Sequence, residues 1–162
     1  MARTGPAATG GLPGLRVIAE LVRAPAALTV PGDTFVGAAA AGRPFGAVTL
    51  AMAVSSTFQY WAGMALNDYA DRYLDAEERP ERPIPSGRVR PGFALGLAGG
   101  LTAAGIGVAG LAGGRRALAV AIPLSATVWA YDLALKSTRA GPAAMATARA
   151  LDVLLGASAG RL

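Results

Sequence analysis

The sequence predicts an all-α protein, a multi-span transmembrane helix bundle of about five helices, and three observations carry the prediction. Apolar residues make up 53% of the chain and charged residues only 15%, with a mean hydropathy of +0.43; a soluble domain carries about 25% charged residues. The apolar residues fall in runs of about 20, the length that crosses a hydrocarbon core of about 30 Å. The basic residues gather in short loops between those runs, which is how membrane topology is specified.

At 162 residues, one domain is expected. Residues 1–14 are small and Gly/Pro-rich and are expected to be disordered; they lack the apolar stretch and cleavage site of a signal peptide. Residues 15–162 form the helical domain. The first span runs from about Leu21 to Gly42, with Pro25 and Pro31 predicting a kink. Asp33, inside it, either lines a cavity or caps the helix restarted after Pro31. The second span runs from about Phe45 to Leu66 and continues into a charged block, and a polar loop covers roughly Arg72 to Arg90. The third span, Pro91 to Gly113, opens on a proline at the first helical turn, where the missing N–H costs nothing. The fourth, about Ala117 to Leu135, carries Pro123 as a kink; the fifth starts near Gly141 and continues to the end. In it, Arg149 and Asp152 stand three apart and read as an intrahelical ion pair.

Counting basic residues orients the bundle. Arg3, Arg16, Arg23, Arg72, Arg79, Arg82, Arg88, Arg90, Lys136 and Arg139 fall on one side, against Arg43, Arg115 and Arg116 on the other. The basic side, with the N-terminus and the charged loop, is the cytoplasmic one. The third span also carries Gly96, Gly100, Ala103, Gly107, Gly110 and Gly114 at alternating spacings of four and three, a stripe suited to close helix packing.

Composition excludes several functions. With no cysteine there is no disulfide framework and no thiolate metal site; with no histidine there is no imidazole base or zinc ligand. A metal site must be built from oxygen, which selects magnesium, calcium or manganese. The net charge of +5 comes without a basic stripe interleaved with aromatics, so no nucleic-acid partner is expected.

Chemistry is expected at the one dense block of charge, Asn67 to Asp75, and in the loop that follows it. On a helix Asp68, Asp71 and Asp75 share a face and repel one another, so a compensating cation is expected. Carboxylates are hard ligands for a divalent ion, and Arg72, Arg79, Arg82 and Arg88 supply donors suited to phosphate. The plain alternative is a solvated helix end followed by topogenic arginines. Tyr60 and Met64, one or two turns below the block, either floor a substrate cavity or pack between helices.

The string Asn67-Asp68-x-x-Asp71-x-x-x-Asp75, followed by Arg79 and by Arg82-Pro83-Ile84-Pro85-Ser86-Gly87-Arg88, resembles the first aspartate-rich motif of the UbiA superfamily of membrane prenyltransferases. That family includes the 4-hydroxybenzoate polyprenyltransferases and the chlorophyll synthases. Tyr131 to Lys136, followed by Thr138, Gly141 and Pro142, is similar to the family's tyrosine–lysine region after the fourth helix. The resemblance implies a transferase in which Mg²⁺ held by the aspartates binds a prenyl diphosphate, whose allylic carbon ionises and alkylates a lipophilic or aromatic acceptor in the membrane. It implies Asp68, Asp71 and Asp75 as metal ligands or their supports, with Asp68 and Asp71 catalytic. Asn67, Arg72, Arg79, Arg82, Arg88 and Lys136 would bind substrate; Lys136 alternatively snorkels at the membrane surface.

The family fold has about nine helices and a second aspartate-rich motif, and the resemblance covers about its first half. Asp132 and Asp152 do not reproduce that second motif. The expectation is an integral-membrane prenyltransferase or its N-terminal half, with a second chain as a partner that could supply the rest. The alternative is an inactive truncated fragment that binds a diphosphate or a complementary half. A divalent-cation carrier is disfavoured, because the arginine-rich loop would repel cations.

Overall fold

The computed structural model describes residues 12–159, and within them every regular element is helical. The expected disorder of residues 1–14 falls, for 1–11, outside the described residues, as do residues 160–162. In chain order come α1 (Leu15–Leu21), a 3₁₀ segment (Ala24–Thr29), α2 (Pro31–Ala40), α3 (Ala47–Ala70) and α4 (Arg72–Glu78). There follow α5 (91–113), α6 (115–130), a π turn (Tyr131–Leu135) and α7 (Gly141–Ala157).

The first expected span is broken more deeply than a kink. Arg23 takes a left-handed conformation (φ 50°, ψ 49°) and ends the turn after α1; the 3₁₀ segment then carries Pro25 as its second residue and α2 starts on Pro31. Each proline lacks an N–H and restarts a helix rather than bending a continuous one. No side chain caps α2, so Asp33 is free for another task.

The third and fourth spans form a hairpin. Gly114 (φ 65°, ψ −151°) is the only non-helical residue between Pro91 and Ala130. That combination suits glycine, which has no Cβ to clash. The indole N–H of Trp129 donates to Thr102 Oγ1 at 3.0 Å; the two lie 27 residues apart, a separation of about 40 Å along a straight helix. Residues 91–135 are long and apolar enough to cross a membrane, an 18-residue stretch within them reaching a mean hydropathy of 1.7. Divided at Gly114, each arm is about 30 Å long or slightly more, a length that matches the thickness of a hydrocarbon core. Around Pro123 the dihedrals stay helical. α3 is less apolar because it carries Ser55, Ser56, Gln59, Asn67 and Asp68, most of them buried.

α3 packs mainly against the hairpin, and α2 packs against α7. Many buried positions are small: Ala65, Ala94, Ala98, Ala109, Ala117 and Ala121 are all essentially inaccessible, beside a few large ones such as Leu21, Met52, Leu66 and Leu155. Large apolar side chains such as Leu50, Val54, Leu111, Ile122 and Leu154 are exposed. Small residues inside and large apolar ones outside is the order expected of helices packed in lipid.

Of the small-residue stripe of the third span, Gly110 packs closely, against Leu118 of α6 with 3.0 Å left for a Cβ, but most of its glycines do not. Gly96, Gly100, Gly107 and Gly114 have no atom within 4 Å of where a Cβ would stand. The packed face of α5 is instead Ala94, Ala98, Gly105, Ala109 and Gly113. At Gly105 a Cβ would approach Gln59 Nε2 and the Ser55 carbonyl at 3.1 Å, and Ser55 Oγ donates to the Gly105 carbonyl at 2.7 Å. Closest of all are α2 and α7: a Cβ on Gly37 would collide with the Val153 carbonyl, and one on Gly156 with the Thr34 carbonyl.

Candidate functional site

α3 positions the site. Gln59, Gly63, Asn67 and Asp71 follow one another at four-residue steps and so run down one side of the helix. Gln59 and Gly63 line a cavity of about 400 Å³ between α3, α6, α7 and the 3₁₀ segment. Tyr60 and Met64 are also in its wall, as are Tyr131 and Asp132 from the π turn. Asn67 and Asp71 extend the same stripe beyond the cavity to the charged end of the helix.

At that end each motif carboxylate has a cationic partner. Asp68, 4% exposed, accepts from Arg23 and from Arg82, both at 3.3 Å. Asp75, 1% exposed, accepts from Arg82 at 2.7 Å and has Arg79 Nη1 at 3.5 Å. Arg82 thus joins Asp68 to Asp75 with one nitrogen, and these two do share a face. Asp71 is turned away from them: α3 ends at this residue (φ −85°, ψ 0°), and its carboxylate pairs with Lys136 at 2.5 Å. Among the described residues no three carboxylates come together as a ready-made metal cage.

The arginines divide by task. Arg72 lies over the rings of Tyr69 and Tyr73, 4.4 and 4.3 Å from their centroids, and donates to the Tyr69 carbonyl. Arg88 makes a two-pronged pair with Glu20 of α1 at 2.6 and 2.8 Å and also donates to Ser86 Oγ. This pairing with Arg88 holds the Glu20 carboxyl below its ordinary range. Arg79 is about half exposed. Asp68, Asp75, Arg79 and Arg82 are therefore linked, Asp71 and Lys136 form a separate pair, and Arg72 and Arg88 are engaged elsewhere. The loop itself is held closed: Val89 N–H donates to the Pro83 carbonyl, and Ile84 and Val89 bury against Leu21, Leu66 and Ala94.

Two features were missed or misread from the sequence. Asp132, 5% exposed, accepts from Asn67 Nδ2 at 3.2 Å, a partnership across 65 residues. Its signal in the sequence was an acid inside an apolar span, four residues before Lys136. The expected Arg149–Asp152 pair does not form. Arg149 pairs with Asp33 of α2 at 2.9 Å, while Asp152 accepts from Ser56 of α3 at 2.8 Å. The α2–α7 contact brings Asp33 within reach, and a partner on another helix displaces the one on the same helix. All four side chains line the cavity's far end.

Comparison with known proteins agrees with this architecture. The UbiA prenyltransferase family model matches residues 29–161. A digeranylgeranylglyceryl phosphate synthase of Methanopyrus kandleri is 46% identical over 76 residues, 47% of this chain and 28% of its own. One from Ignicoccus hospitalis is 39% identical over 124 residues, 76% of this chain and 40% of its own. A solved structure of a digeranylgeranylglyceryl phosphate synthase in membranes superposes with a TM-score of 0.83 at 21% identity, covering 91% of this chain and 53% of that one. The chain thus spans about half, or less, of the length of the proteins it matches. With the family model covering most of its length and the fold shared, the chain belongs to the UbiA prenyltransferase family, a family of membrane-embedded enzymes.

Proposed function

We propose that the chain forms the aspartate-motif side of an integral-membrane prenyltransferase that moves an isoprenyl group from a prenyl diphosphate to an acceptor in the membrane, with Mg²⁺ bound at the motif. The observation that carries this is the single stripe on α3: cavity wall at Gln59 and Gly63, then Asn67 and Asp71 engaged by Asp132 and Lys136. A polar, charge-rich end on a mostly apolar cavity suits a molecule with a diphosphate head and a hydrocarbon body.

The residues fit Mg²⁺. The donors are all oxygen, and this ion takes one or two protein carboxylates while water and phosphate oxygens fill the rest. Asp71 and Asp68 would meet that need, Asp68 by exchanging its long 3.3 Å contacts with Arg23 and Arg82 for the ion; Asp75, held more tightly by Arg82 at 2.7 Å, supports the loop. When bound, the ion would supply charge neutralisation to the departing diphosphate. The chain's own cations act in the same sense: Lys136 and Arg79 stand beside the motif carboxylates, where negative charge develops as the prenyl–oxygen bond breaks. The basic-residue asymmetry supports an orientation with the motif loop and N-terminus in the cytoplasm, and the apolar runs of about 20 residues support a multi-pass arrangement.

The relatives are named for synthesis of a digeranylgeranylglyceryl phosphate, so a lipophilic acceptor with a polar head is the class to try first. The test is transfer of a labelled prenyl group from its diphosphate in membranes carrying the chain, with and without Mg²⁺, against Asp68→Asn and Asp71→Asn. Transfer that neither substitution alters refutes the reading. Because the chain spans 53% of its structural neighbour, a second reading is binding without turnover, completed by a complementary half. It predicts Mg²⁺-dependent diphosphate binding with no product until that half is supplied.

A further inference from the structure

We propose that Asp132 is a positioning residue of the diphosphate site, fixing the side-chain amide of Asn67 so that its carbonyl oxygen is the atom left for the metal–diphosphate. The inference rests on the functional reading above and adds to it a residue outside the aspartate string. Asp132 comes from the far arm of the hairpin and is buried, and its Oδ1 lies 3.2 Å from Asn67 Nδ2. A carboxylate accepts and does not donate, so the amide edge facing it is the NH₂. With that edge committed, Asn67 Oδ1 is the free acceptor, an oxygen ligand of the type a hard dication takes.

The surroundings are built for this contact. Gly63 stands one turn below Asn67, where a Cβ would sit 3.1 Å from Val128 Cγ1 and 3.7 Å from Asp132 Oδ2. The glycine lets the end of α6 come in close. The backbone then widens into the π turn, with Lys136 N–H closing on the Tyr131 carbonyl at 2.9 Å. Such turns occur often at functional sites. From this one turn Asp132 reaches Asn67 and Lys136 reaches Asp71, two rungs that join residues four apart on each side. A buried acid behind a ligand side chain fixes that ligand's orientation, and losing it weakens metal affinity by about 10- to 100-fold.

The experiment is calorimetric titration of a non-ionising prenyl thiolodiphosphate, at a series of Mg²⁺ concentrations, into the chain in nanodiscs. Wild type, Asp132→Asn, Asn67→Ala and the double variant are compared, with thermal midpoints measured on each. Asp132→Asn keeps the size but lets the two amides pair in either sense. The Mg²⁺ needed for half-saturation is expected to rise about 10-fold, with the midpoint unchanged, and Asp132→Asn adds nothing once Asn67 is Ala. An unchanged Mg²⁺ requirement, or an effect that adds in full to Asn67→Ala, overturns the proposal. The exchanged pair Asn67→Asp/Asp132→Asn guards against a folding artefact. It restores an amide facing a carboxylate, so it should bind better than Asn67→Asp alone, and binding no better also overturns the proposal. Wild type that binds the analogue without regard to Mg²⁺ overturns the functional reading and this proposal together. Wild type that binds with Mg²⁺ while Asp132→Asn matches it overturns only the role of Asp132.

Discussion

Arg82 Nη1 lies 2.7 Å from the Oδ2 of Asp75, a carboxylate that is 1% exposed, and the same nitrogen reaches back to Asp68. The loop after the motif is thereby tied to α3 and α4 through charge. Removing one partner of a buried pair leaves an uncompensated charge and costs about 3–5 kcal/mol. Arg82 is itself about one-fifth exposed and Arg79 remains near Asp75, so the low end applies. Arg82→Ala should destabilise the chain by about 3 kcal/mol, read as a lowered thermal midpoint in detergent. Asp75→Asn should cost less, because it removes the stranded charge along with the pair.

The α2–α7 contact permits no side chain at two positions. Gly156→Ala would drive a methyl group into the Thr34 carbonyl, and Gly37→Ala one into the Val153 carbonyl. Backbone cannot yield as a flexible side chain does, so each should cost about 1–3 kcal/mol or more. Gly96→Ala, on the open face of α5, should cost nothing measurable and is the control in the same unfolding assay. Separation of α2 from α7 would also break the Arg149–Asp33 pair, so Gly156→Ala should raise hydrogen exchange across α2.

Acid should loosen the contact between α1 and the motif loop. The Glu20 carboxyl is held below its reference value of 4.5 by its two-pronged pair with Arg88. A group whose folded value is depressed contributes stability above its unfolded value and loses it as pH falls through the folded one. The contact should therefore be unchanged from pH 7 to 5 and weaken below 4.5. Hydrogen exchange of residues 15–21 and 82–89 measures this; Glu20→Gln should abolish the dependence. The pair is substantially exposed, so the effect is local.

Lys136 should matter to rate more than to folding. It is the partner of Asp71 and the one lysine of the chain. Losing a charge-stabilising group at a reacting centre costs about 10²–10³ in turnover. Lys136→Met, which keeps the stem, should show that drop in labelled prenyl transfer while the thermal midpoint moves little.

Much of this was legible in the sequence, for identifiable reasons. Gly114 with Arg115 and Arg116 punctuates an apolar run long enough for two crossings, so the hairpin could be read directly. Prolines 25 and 31 marked the broken first span, though not the left-handed Arg23 that ends the turn before it. The aspartate string was legible because its spacing and residue types both depart from packing logic. Periodicity states which residues share a helix face, but not which neighbour that face meets. That is why the glycine stripe of α5 was assigned to packing while, Gly110 apart, Ala94, Ala98 and Gly105 make the contact. It is also why Arg149 was paired within its own helix instead of with Asp33, 116 residues away. Asp132 was given no role for the same reason: its partner Asn67 lies on another helix.

The central claim is that the end of α3 binds a prenyl diphosphate through Mg²⁺ held by Asp68 and Asp71. The most direct measurement is equilibrium binding of a prenyl thiolodiphosphate to the chain in nanodiscs, with Mg²⁺ or with chelator, for wild type and for Asp68→Asn/Asp71→Asn. The account predicts saturable binding that requires Mg²⁺ and falls by at least about 10-fold in the double variant. Binding of equal strength in chelator, or in the double variant, would contradict it.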